Sequence, residues 1–220
     1  MTILMFDIDG TLSLSQGAGT AAMTRAFQEL WGIENALQGM DFAGRSDTWI
    51  VPTALAAHGR DCSAEDLARF IDTYVPALDD ALAERDVRLC PGVPELLQAL
   101  QGEDVVLGLG TGNFRRAAEA KLGPLGIWEY FVDGGFGDDA PDRTELLAAG
   151  LERLRAGSSD GADVVVIGDT GHDVEAGQAI GARVVAVRTG YARPGELDAA
   201  EVVLDDLSDT EQSLRALLGN

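Results

Sequence analysis

Short apolar segments recur along the chain, and several of them end in acidic or glycine-containing turns. The clearest lie at 3–7, 105–109, 164–167 and 184–187, and a weaker one lies at 202–204. Continuous apolar stretches of this length are typical of strands that are buried on both faces of a parallel sheet. We therefore predict a strand at each of these positions.

Helical spacings of apolar residues separate these segments in the second half of the chain. They occur at 94–100, 146–154, 176–180 and 214–218. Strands and helices that alternate from about residue 90 onward predict a doubly wound, mainly parallel, Rossmann-like α/β core. Right-handed crossovers place the carboxyl ends of its strands at one edge of the sheet, where ligands bind.

The stretch 14–89 interrupts this alternation. It has helical patterns at 21–31, 48–58 and 64–83 and no convincing strand, and turn-forming glycine and proline residues flank both of its ends. These helices could simply pack on the sheet, but their number and length favour an insertion. We predict an inserted α-helical domain at 14–89 and an α/β core at 1–13 and 90–220.

Acidic side chains far outnumber basic ones. The 220 residues include 37 acidic and 16 basic residues, which gives a net charge of −21. A field of this sign repels nucleic acid and anionic membranes, so neither is an expected partner. It also repels a phosphorylated substrate, and such a substrate would have to meet a metal ion or local positive charge.

The sequence gives no sign of targeting to a membrane or for secretion. No apolar run approaches the roughly 20 residues that span a bilayer, and no basic residue precedes Arg25. Cys62 and Cys90 have neither metal-ligand spacing nor a disulfide-rich setting. We expect a cytoplasmic protein with two reduced cysteines, either a monomer or a homodimer.

Two carboxylates, Asp7 and Asp9, stand where the first strand is expected to end. Side chains two residues apart in an extended chain point the same way, so both can face one site. Gly10 then allows the chain to turn sharply. Carboxylates this close repel each other unless one is protonated or a cation lies between them, and Mg²⁺ with a substrate phosphate would satisfy them. Strand-end aspartates also occur as ordinary turn residues.

A possible phosphate site follows the second apolar segment. Thr111, Gly112 and Asn113 supply a hydroxyl and backbone N–H groups just before a helix that begins near Phe114. Such groups at a helix N-terminus bind phosphate readily. By themselves they could equally be a helix cap.

Charged residues follow the later segments in the same way. Arg143 opens a predicted helix after an acidic loop, where it could neutralise phosphoryl charge or merely pair with the nearby aspartates. Asp169 and Asp173 add two carboxylates after the third segment. Each signal is weak alone, but their order at successive strand ends strongly indicates one site.

With these motifs the sequence resembles the haloacid dehalogenase superfamily, in the form that has a helical cap inserted after the first strand. Residues 7–12 match its first motif, Asp-x-Asp-Gly-Thr, and Thr111 matches the second-motif Ser/Thr. Residues 168–173 match its fourth motif, Gly-Asp-x-x-x-Asp, and 89–93 resemble the return from cap to core. The resemblance covers nearly the whole chain.

The third motif of the superfamily is usually a lysine, and here the sequence departs from the pattern. Arg143 lies nearest to the expected position. Lys121, the sole lysine, follows Thr111 closely and falls within an expected helix. We therefore assign the third-motif role to Arg143.

The resemblance implies catalysis through an aspartyl-phosphate. Asp7 would attack phosphorus, and Asp9 would protonate the leaving alcohol and then activate water. Magnesium would be held by Asp7, by the main-chain carbonyl of Asp9 and by Asp169, with Asp173 ordering these ligands.

The same resemblance implies which groups hold the substrate. Thr111, the Gly112 N–H and Arg143 would bind the phosphoryl oxygens, with Gly10 and Asn113 as further contacts. In the cap, Arg45 could bind a carboxylate of a small substrate, as in the phosphoglycolate phosphatases that this cap type resembles. Alternatively, Arg45 pairs with a neighbouring aspartate, Asp41 or Asp47.

The residues weigh against other chemistries of the superfamily. Its dehalogenases lack the second aspartate of the first motif, so Asp9 argues for phosphoryl transfer. Phosphonate-cleaving relatives use a cap lysine, and no lysine occurs between Leu14 and Leu89. A sugar-phosphate mutase uses the same core residues and stays an alternative. A non-catalytic binding module would be expected to lose Asp7, Asp9 or Asp169. We predict a magnesium-dependent phosphatase of small phosphorylated metabolites.

Overall fold

The computed structural model describes residues 1–156 and 161–219. Its strands are β1 (Thr2–Phe6), β2 (Ser13–Leu14), β3 (Arg88–Leu89), β4 (Val105–Gly110), β5 (Asp133–Gly135), β6 (Asp163–Gly168), β7 (Arg183–Val187) and β8 (Val202–Leu204). Its α-helices are α1 (Ala18–Trp31), α2 (Asp47–Ala57), α3 (Ala64–Ala83), α4 (Val93–Leu100), α5 (Arg115–Leu122), α6 (Arg143–Arg155), α7 (Gly171–Ala179) and α8 (Thr210–Leu218). A 3-10 turn covers Trp128–Tyr130.

Six parallel strands form one sheet in the order β5-β4-β1-β6-β7-β8. In the middle of the sheet, Thr2 of β1 lies opposite Val105 of β4 on one side and Asp163 of β6 on the other. Every strand predicted from an apolar segment is present, and helices alternate with strands after residue 90. The predicted doubly wound α/β class is confirmed.

Alternate residues of β1 enter opposite faces of the sheet. Leu4 and Phe6 are fully buried in one apolar cluster, together with residues of α4 and α8. Ile3 and Met5 are fully buried in a second cluster, together with residues of α6. Because both faces are covered, the strand has no polar face, and its sequence is a continuous apolar run.

The edge strand β5 was not predicted, because its three residues are polar or glycine. A Cβ on Gly134 would collide with the backbone of Leu109 in β4, and a Cβ on Gly135 would collide with the backbone of Leu146 in α6. The backbones approach so closely that only glycine fits, and the strand therefore lacks the apolar side chains that mark the others.

The stretch 14–89 does contain strand residues, at its two ends. Ser13 of β2 pairs with Leu89 of β3 and Leu14 pairs with Arg88 in a short antiparallel ribbon. The prediction of no strand in this stretch was wrong here, because a two-residue strand is too short to show alternation. The ribbon brings the two ends of the helical insert together next to the end of β1.

Helices α1, α2 and α3 form the helical insert between the two arms of this ribbon. Ring contacts join Phe70 to Phe27 and to Tyr74, with centroids 4.9 and 5.7 Å apart. The same apolar cluster includes Phe114 and Ala117, which belong to the start of α5. The insert thus packs against the helix that follows β4. A domain division at residues 13/14 and 89/90 stays a prediction.

Helix α3 is the longest of the described helices, with 20 residues. Ser63 caps it, and Asp66 completes a capping box by accepting the Ser63 backbone N–H. Its bounds agree with the helical pattern in the sequence. In the described part of the chain, no helix is both long enough and apolar enough to cross a bilayer.

Candidate active site

The carboxyl ends of β1, β4 and β6 meet at one edge of the sheet, and a predicted site residue follows each. These residues are Asp7, Thr111 and Asp169. The Asp7 N–H donates to Ile167 O (2.8 Å), and the Thr111 N–H donates to Gly135 O (3.0 Å). Backbone pairing with the sheet therefore continues to Asp7 and Thr111 and fixes the positions of their Cα atoms at this edge.

Three buried carboxylates converge at this edge. One oxygen of each of Asp7, Asp169 and Asp173 lies within 4.8 Å of the others. Burial, together with the charges of neighbouring carboxylates, raises the pKa of Asp7 to about 6 and that of Asp169 to about 8. Clustered carboxylate oxygens are the donors that Mg²⁺ prefers, and a cation would relieve their repulsion. The cluster fits a metal ion of this kind.

Asp169 is held tightly in place. The Thr11 hydroxyl donates to its Oδ1 (3.3 Å), and the Tyr191 N–H donates to its Oδ2 (2.9 Å). Gly10 packs on it with φ of +89°, and a Cβ there would lie 2.5 Å from Asp169 Oδ2. The Gly10 N–H donates to Ser13 O (2.9 Å). In the structure Gly10 forms the turn and packs on Asp169, and its contact with substrate stays a prediction.

Arg143 reaches the carboxylate cluster from the start of α6, where Asp142 caps the helix. Its Nη2 lies 2.9 Å from Asp7 Oδ1 and 2.5 Å from Asp173 Oδ1, and it donates to Gly110 O at 3.1 Å. Burial alone would lower the pKa of Arg143, but the two carboxylates raise it further above its usual value. Arg143 is therefore a permanent positive charge next to Asp7.

Asp9 has a different set of partners. Lys121 Nζ lies 2.5 Å from Asp9 Oδ2, Asn113 Nδ2 donates to the same oxygen at 2.9 Å, and the Ser15 hydroxyl donates to Oδ1 at 3.2 Å. Burial acts to raise the pKa of Asp9, but Lys121 and these hydrogen bonds lower it overall. The Asp9 side chain thus stands apart from the cluster of three carboxylates.

Lys121 is a site residue that the sequence argument set aside. It is only 5% exposed, and it also donates to Asn113 Oδ1 at 2.6 Å. It lies seven positions after Phe114 and four after Ala117, which places it on the buried face of α5. A lysine on an otherwise apolar helix face was the signal that could have identified it. Both basic residues, Arg143 and Lys121, therefore reach the site.

A cavity of about 510 Å³ opens between this edge and the helical insert. The core contributes nine residues to its wall: Asp7, Asp9, Thr111, Gly112, Asn113, Lys121, Arg143, Thr170 and Tyr191. The insert contributes apolar and polar side chains that include Met23, Phe42, Asp47, Ile50 and Tyr74. The cavity brings the predicted phosphate-binding residues and the two basic residues into one space.

Arg45 lies at this cavity and is exposed. Its guanidinium carbon lies 4.8 Å from the ring centroid of Trp49. Within the described residues it pairs with no carboxylate: Asp41 pairs instead with Arg193 (2.7 Å), and Asp47 accepts the Phe114 N–H (2.8 Å). The suggested pairing of Arg45 with Asp41 or Asp47 is therefore not formed.

Residues 1–181 match the family of haloacid dehalogenase-like hydrolases. The chain belongs to this family, as its motifs indicated, and it is a hydrolase of phosphoric monoesters. It is 30% identical over 219 residues to phosphoglycolate phosphatase 1 of Pseudomonas aeruginosa, and the alignment covers 94% of this chain and 77% of the relative. It is 32% identical over 224 residues to phosphoglycolate phosphatase of Rhodospirillum rubrum, and the alignment covers 93% of this chain and 87% of that relative.

Solved structures share the fold over nearly the whole chain. CbbY from Rhodobacter sphaeroides in complex with phosphate has a TM-score of 0.75 at 19% identity, covering 95% of this chain and 96% of that one. A "putative beta-phosphoglucomutase from Thermotoga maritima" has a TM-score of 0.63 at 23% identity, covering 98% and 99%. At these identities the likeness shows the fold alone.

Proposed function

We propose that the protein hydrolyses small phosphorylated metabolites in the cytoplasm through an aspartyl-phosphate on Asp7. The observation that carries this proposal is the pairing at the end of β1, where Arg143 lies 2.9 Å from Asp7 and Lys121 lies 2.5 Å from Asp9. Each carboxylate has its own cation, so the two can take different roles two residues apart. The free thiols of Cys62 and Cys90 suit a reducing compartment.

Asp7 is the proposed nucleophile. Its carboxylate lies at the carboxyl edge of the sheet and next to a buried guanidinium. An oxygen of Asp7 forms a bond to phosphorus while the bond between phosphorus and the leaving alcohol breaks. Arg143, Thr111 and the Gly112 N–H then surround the phosphoryl oxygens, whose charge they offset as the transition state forms.

Asp9 is the proposed general acid and base. It transfers a proton to the leaving oxygen and afterwards takes one from the water that attacks the aspartyl-phosphate. Lys121 and Asn113 hold its carboxylate from one side and Ser15 from the other. These contacts fix the direction in which Asp9 exchanges its proton.

The carboxylate cluster is the proposed magnesium site. Asp7, Asp169 and the main-chain carbonyl of Asp9 would hold the ion, and Asp173 would keep the ligands in place. Magnesium supplies positive charge that shields the carboxylates and polarises a phosphoryl oxygen. Asp173 is suited to its role because Thr170 donates its hydroxyl to Oδ2 (2.7 Å) while Arg143 lies at Oδ1.

The substrate is proposed to be a small monoester of the phosphoglycolate kind. The relatives from P. aeruginosa and R. rubrum carry that name. Arg45 at the cavity has no acidic partner among the described residues and is available for a substrate carboxylate. The enzyme is proposed to act as a monomer or a homodimer.

A mutase is the second candidate, because a beta-phosphoglucomutase is among the solved structures with this fold. The two differ in whether water or a second sugar hydroxyl takes the phosphoryl group from Asp7. Release of inorganic phosphate in proportion to alcohol supports the phosphatase. A phosphorylated sugar isomer formed without free phosphate supports the mutase.

Turnover of para-nitrophenyl phosphate tests the proposal. We expect activity with magnesium, loss of activity with EDTA, and loss in Asp7→Asn. Asp163→Asn is a matched control, because Asp163 is an exposed aspartate that opens β6 at the opposite end of the strand. Activity that survives Asp7→Asn would contradict the proposed nucleophile, and phosphoglycolate leads the metabolite screen that follows.

A further inference from the structure

Residues 44–48, here called the docking segment, join the helical insert to the α/β core. The Ser46 hydroxyl donates to Pro141 O at 2.7 Å, and the Thr48 hydroxyl donates to Gly137 O. Arg143 Nη1 lies 3.4 Å from Gly44 O. The docking segment therefore touches the loop before α6 as well as a basic residue of the site.

Asp47 within this segment forms two hydrogen bonds with the turn after β4. Its backbone N–H donates to Gly112 O at 2.7 Å, and its carboxylate Oδ2 accepts the Phe114 N–H at 2.8 Å. These two bonds hold the turn on both sides of Asn113. Asn113 in turn contacts Asp9 and Lys121, so one residue of the insert braces the turn that carries the proposed phosphate-binding groups.

The turn depends on this contact from outside. Phe114 occupies the N-cap position of α5 and gives the helix no side-chain cap of its own. Asp47, from a distant part of the chain, accepts the N–H of Phe114, and Asp138 accepts that of Arg115, so both carboxylates lie at the positive end of α5. Gly112 also fits closely, because a Cβ there would lie 2.6 Å from Arg45 O and 2.9 Å from Ser46 Cα.

Burying the carboxyl group of Asp47 costs more free energy than a purely structural contact requires. It is only 5% exposed, it forms no ion pair within the described residues, and it lines the cavity. A buried carboxyl without an ion-pair partner costs free energy, and an apolar residue would fill the same space without that cost. Its place on the phosphate-binding turn gives it a functional reason.

We propose that Asp47 is a positioning residue that sets the Gly112–Phe114 turn for phosphate from the helical insert. Seating of the insert on the core and binding of the phosphoryl group are then coupled through this one side chain. The inference rests on the proposed function, because it takes the turn to be the phosphate-binding loop. It adds a residue of the insert to those that shape that loop.

The test compares Asp47→Ala, Asp47→Asn and Ser46→Ala in the full chain with magnesium. Ser46→Ala is the matched control. It removes the cap of α2 and the hydrogen bond to Pro141 O, and it leaves both hydrogen bonds between Asp47 and the turn in place. The first readout is the dissociation constant of inorganic phosphate by calorimetry, which needs no turnover. The second is KM and kcat with para-nitrophenyl phosphate, and the third is the thermal midpoint.

We expect Asp47→Ala to weaken phosphate binding by about tenfold, as for the loss of one well-placed hydrogen bond to the turn. Asp47→Asn keeps an acceptor for the Phe114 N–H and should stay within about twofold of wild type. Ser46→Ala should lower the thermal midpoint while phosphate affinity stays within about twofold. If Asp47→Ala does not fold, Asp47→Leu replaces it, since leucine fills the space without an acceptor or a buried charge.

Equal phosphate affinity in wild type and Asp47→Ala would overturn the inference, and so would equal losses in Asp47→Ala and Ser46→Ala. A wild-type protein that binds no phosphate would overturn it as well. A wild-type protein that binds phosphate without hydrolysing any ester would overturn the proposed function alone. The calorimetric comparison would then still decide the role of Asp47.

Discussion

Asp7 and Asp9 are two residues apart, and their surroundings push their pKa values in opposite directions. Burial raises the pKa of Asp7 to about 6 in spite of Arg143. Asp9 is only half-buried, and Lys121 and two hydrogen bonds keep its pKa below the ordinary value. The proposed roles need the opposite balance, an ionised Asp7 and a protonated Asp9, and a cation at the carboxylate cluster would supply the first by lowering the pKa of Asp7.

Lys121→Met should lower kcat for para-nitrophenyl phosphate by at least about tenfold, because Asp9 loses the cation that orients it. Burial would then be opposed only by the hydrogen bonds from Asn113 and Ser15, so the pKa of Asp9 should rise and its limb of the pH profile should move to higher pH. The control is Arg116→Met, which removes an exposed cation from the same helix; among the described residues Arg116 pairs only with Asp72. Equal activities of the two variants would exclude Lys121 from the site.

A second prediction at this scale concerns pH and stability. Burial raises the pKa of Asp47 from 3.8 to about 7. The folded protein therefore holds this proton more tightly than the unfolded chain, and the associated stability is lost as pH rises toward and through the folded pKa. In EDTA, wild type should lose about 3 kcal/mol more than Asp47→Asn between pH 5 and pH 8.

Urea unfolding at the two pH values measures this difference. Asp7 and Asp169 also have raised pKa values, but they are present in both proteins and cancel in the comparison. Asp163→Asn, at an exposed position, should follow wild type. Parallel curves for wild type and Asp47→Asn would show that Asp47 does not titrate in this range.

The residues that the sequence placed after strands and at helix starts do lie together in the structure, whereas Lys121 and Asp47 were missed. Asp7, Thr111 and Asp169 follow apolar strands, and the parallel sheet brings the ends of such strands together. Lys121 reaches the site only through the rotation of α5, and Asp47 only through the packing of the insert. Neither is encoded by local spacing.

At the scale of elements, close backbone contact decides how β5 and α6 pack. A Cβ on Gly150 of α6 would collide with the backbone of Gly135 in β5. This contact lets α6 lie directly on the edge strand and aim its first residue, Arg143, at Asp7. The helical spacing of apolar residues predicts α6. The glycines of β5 give no apolar signal, which is why that strand was missed.

Gly150→Ala should destabilise the fold by about 1–3 kcal/mol, although alanine favours a helix more than glycine does. Gly19→Ala in α1 is the control with the opposite expected sign. A Cβ there meets only Tyr74 Oη at 3.6 Å and Lys121 Nζ at 3.7 Å, and the gain should reach up to about 1 kcal/mol. Urea unfolding of both variants checks the signs, and two stabilised proteins would contradict the packing argument.

At the scale of the whole molecule, the alternation of strands and helices predicted the sheet and the edge that carries the site. The helical insert was also anticipated from its three helical patterns. Its close packing on α5 was not, because Phe114 and Ala117 join the apolar cluster of the insert from a distant part of the sequence. Contacts of that kind depend on tertiary packing, which local periodicity does not encode.

The net charge of −21 has a consequence for turnover. Arg143 and Lys121 are both paired with carboxylates, so they offset the field of the molecule only locally. An anionic ester approaching the cavity is therefore repelled at long range, and salt screens that repulsion over a Debye length of about 10 Å at 0.1 M.

We expect kcat/KM for para-nitrophenyl phosphate to rise roughly two- to fivefold between low salt and 0.2 M sodium chloride, through a lower KM at constant kcat. Magnesium must be saturating, because the same field attracts the metal and salt weakens that attraction. Phosphocholine is the control substrate, since its positive charge reduces the repulsion and should flatten the salt dependence. A kcat/KM that falls with salt for para-nitrophenyl phosphate would instead show that local cations at the cavity, Arg45 among them, dominate the approach of the substrate.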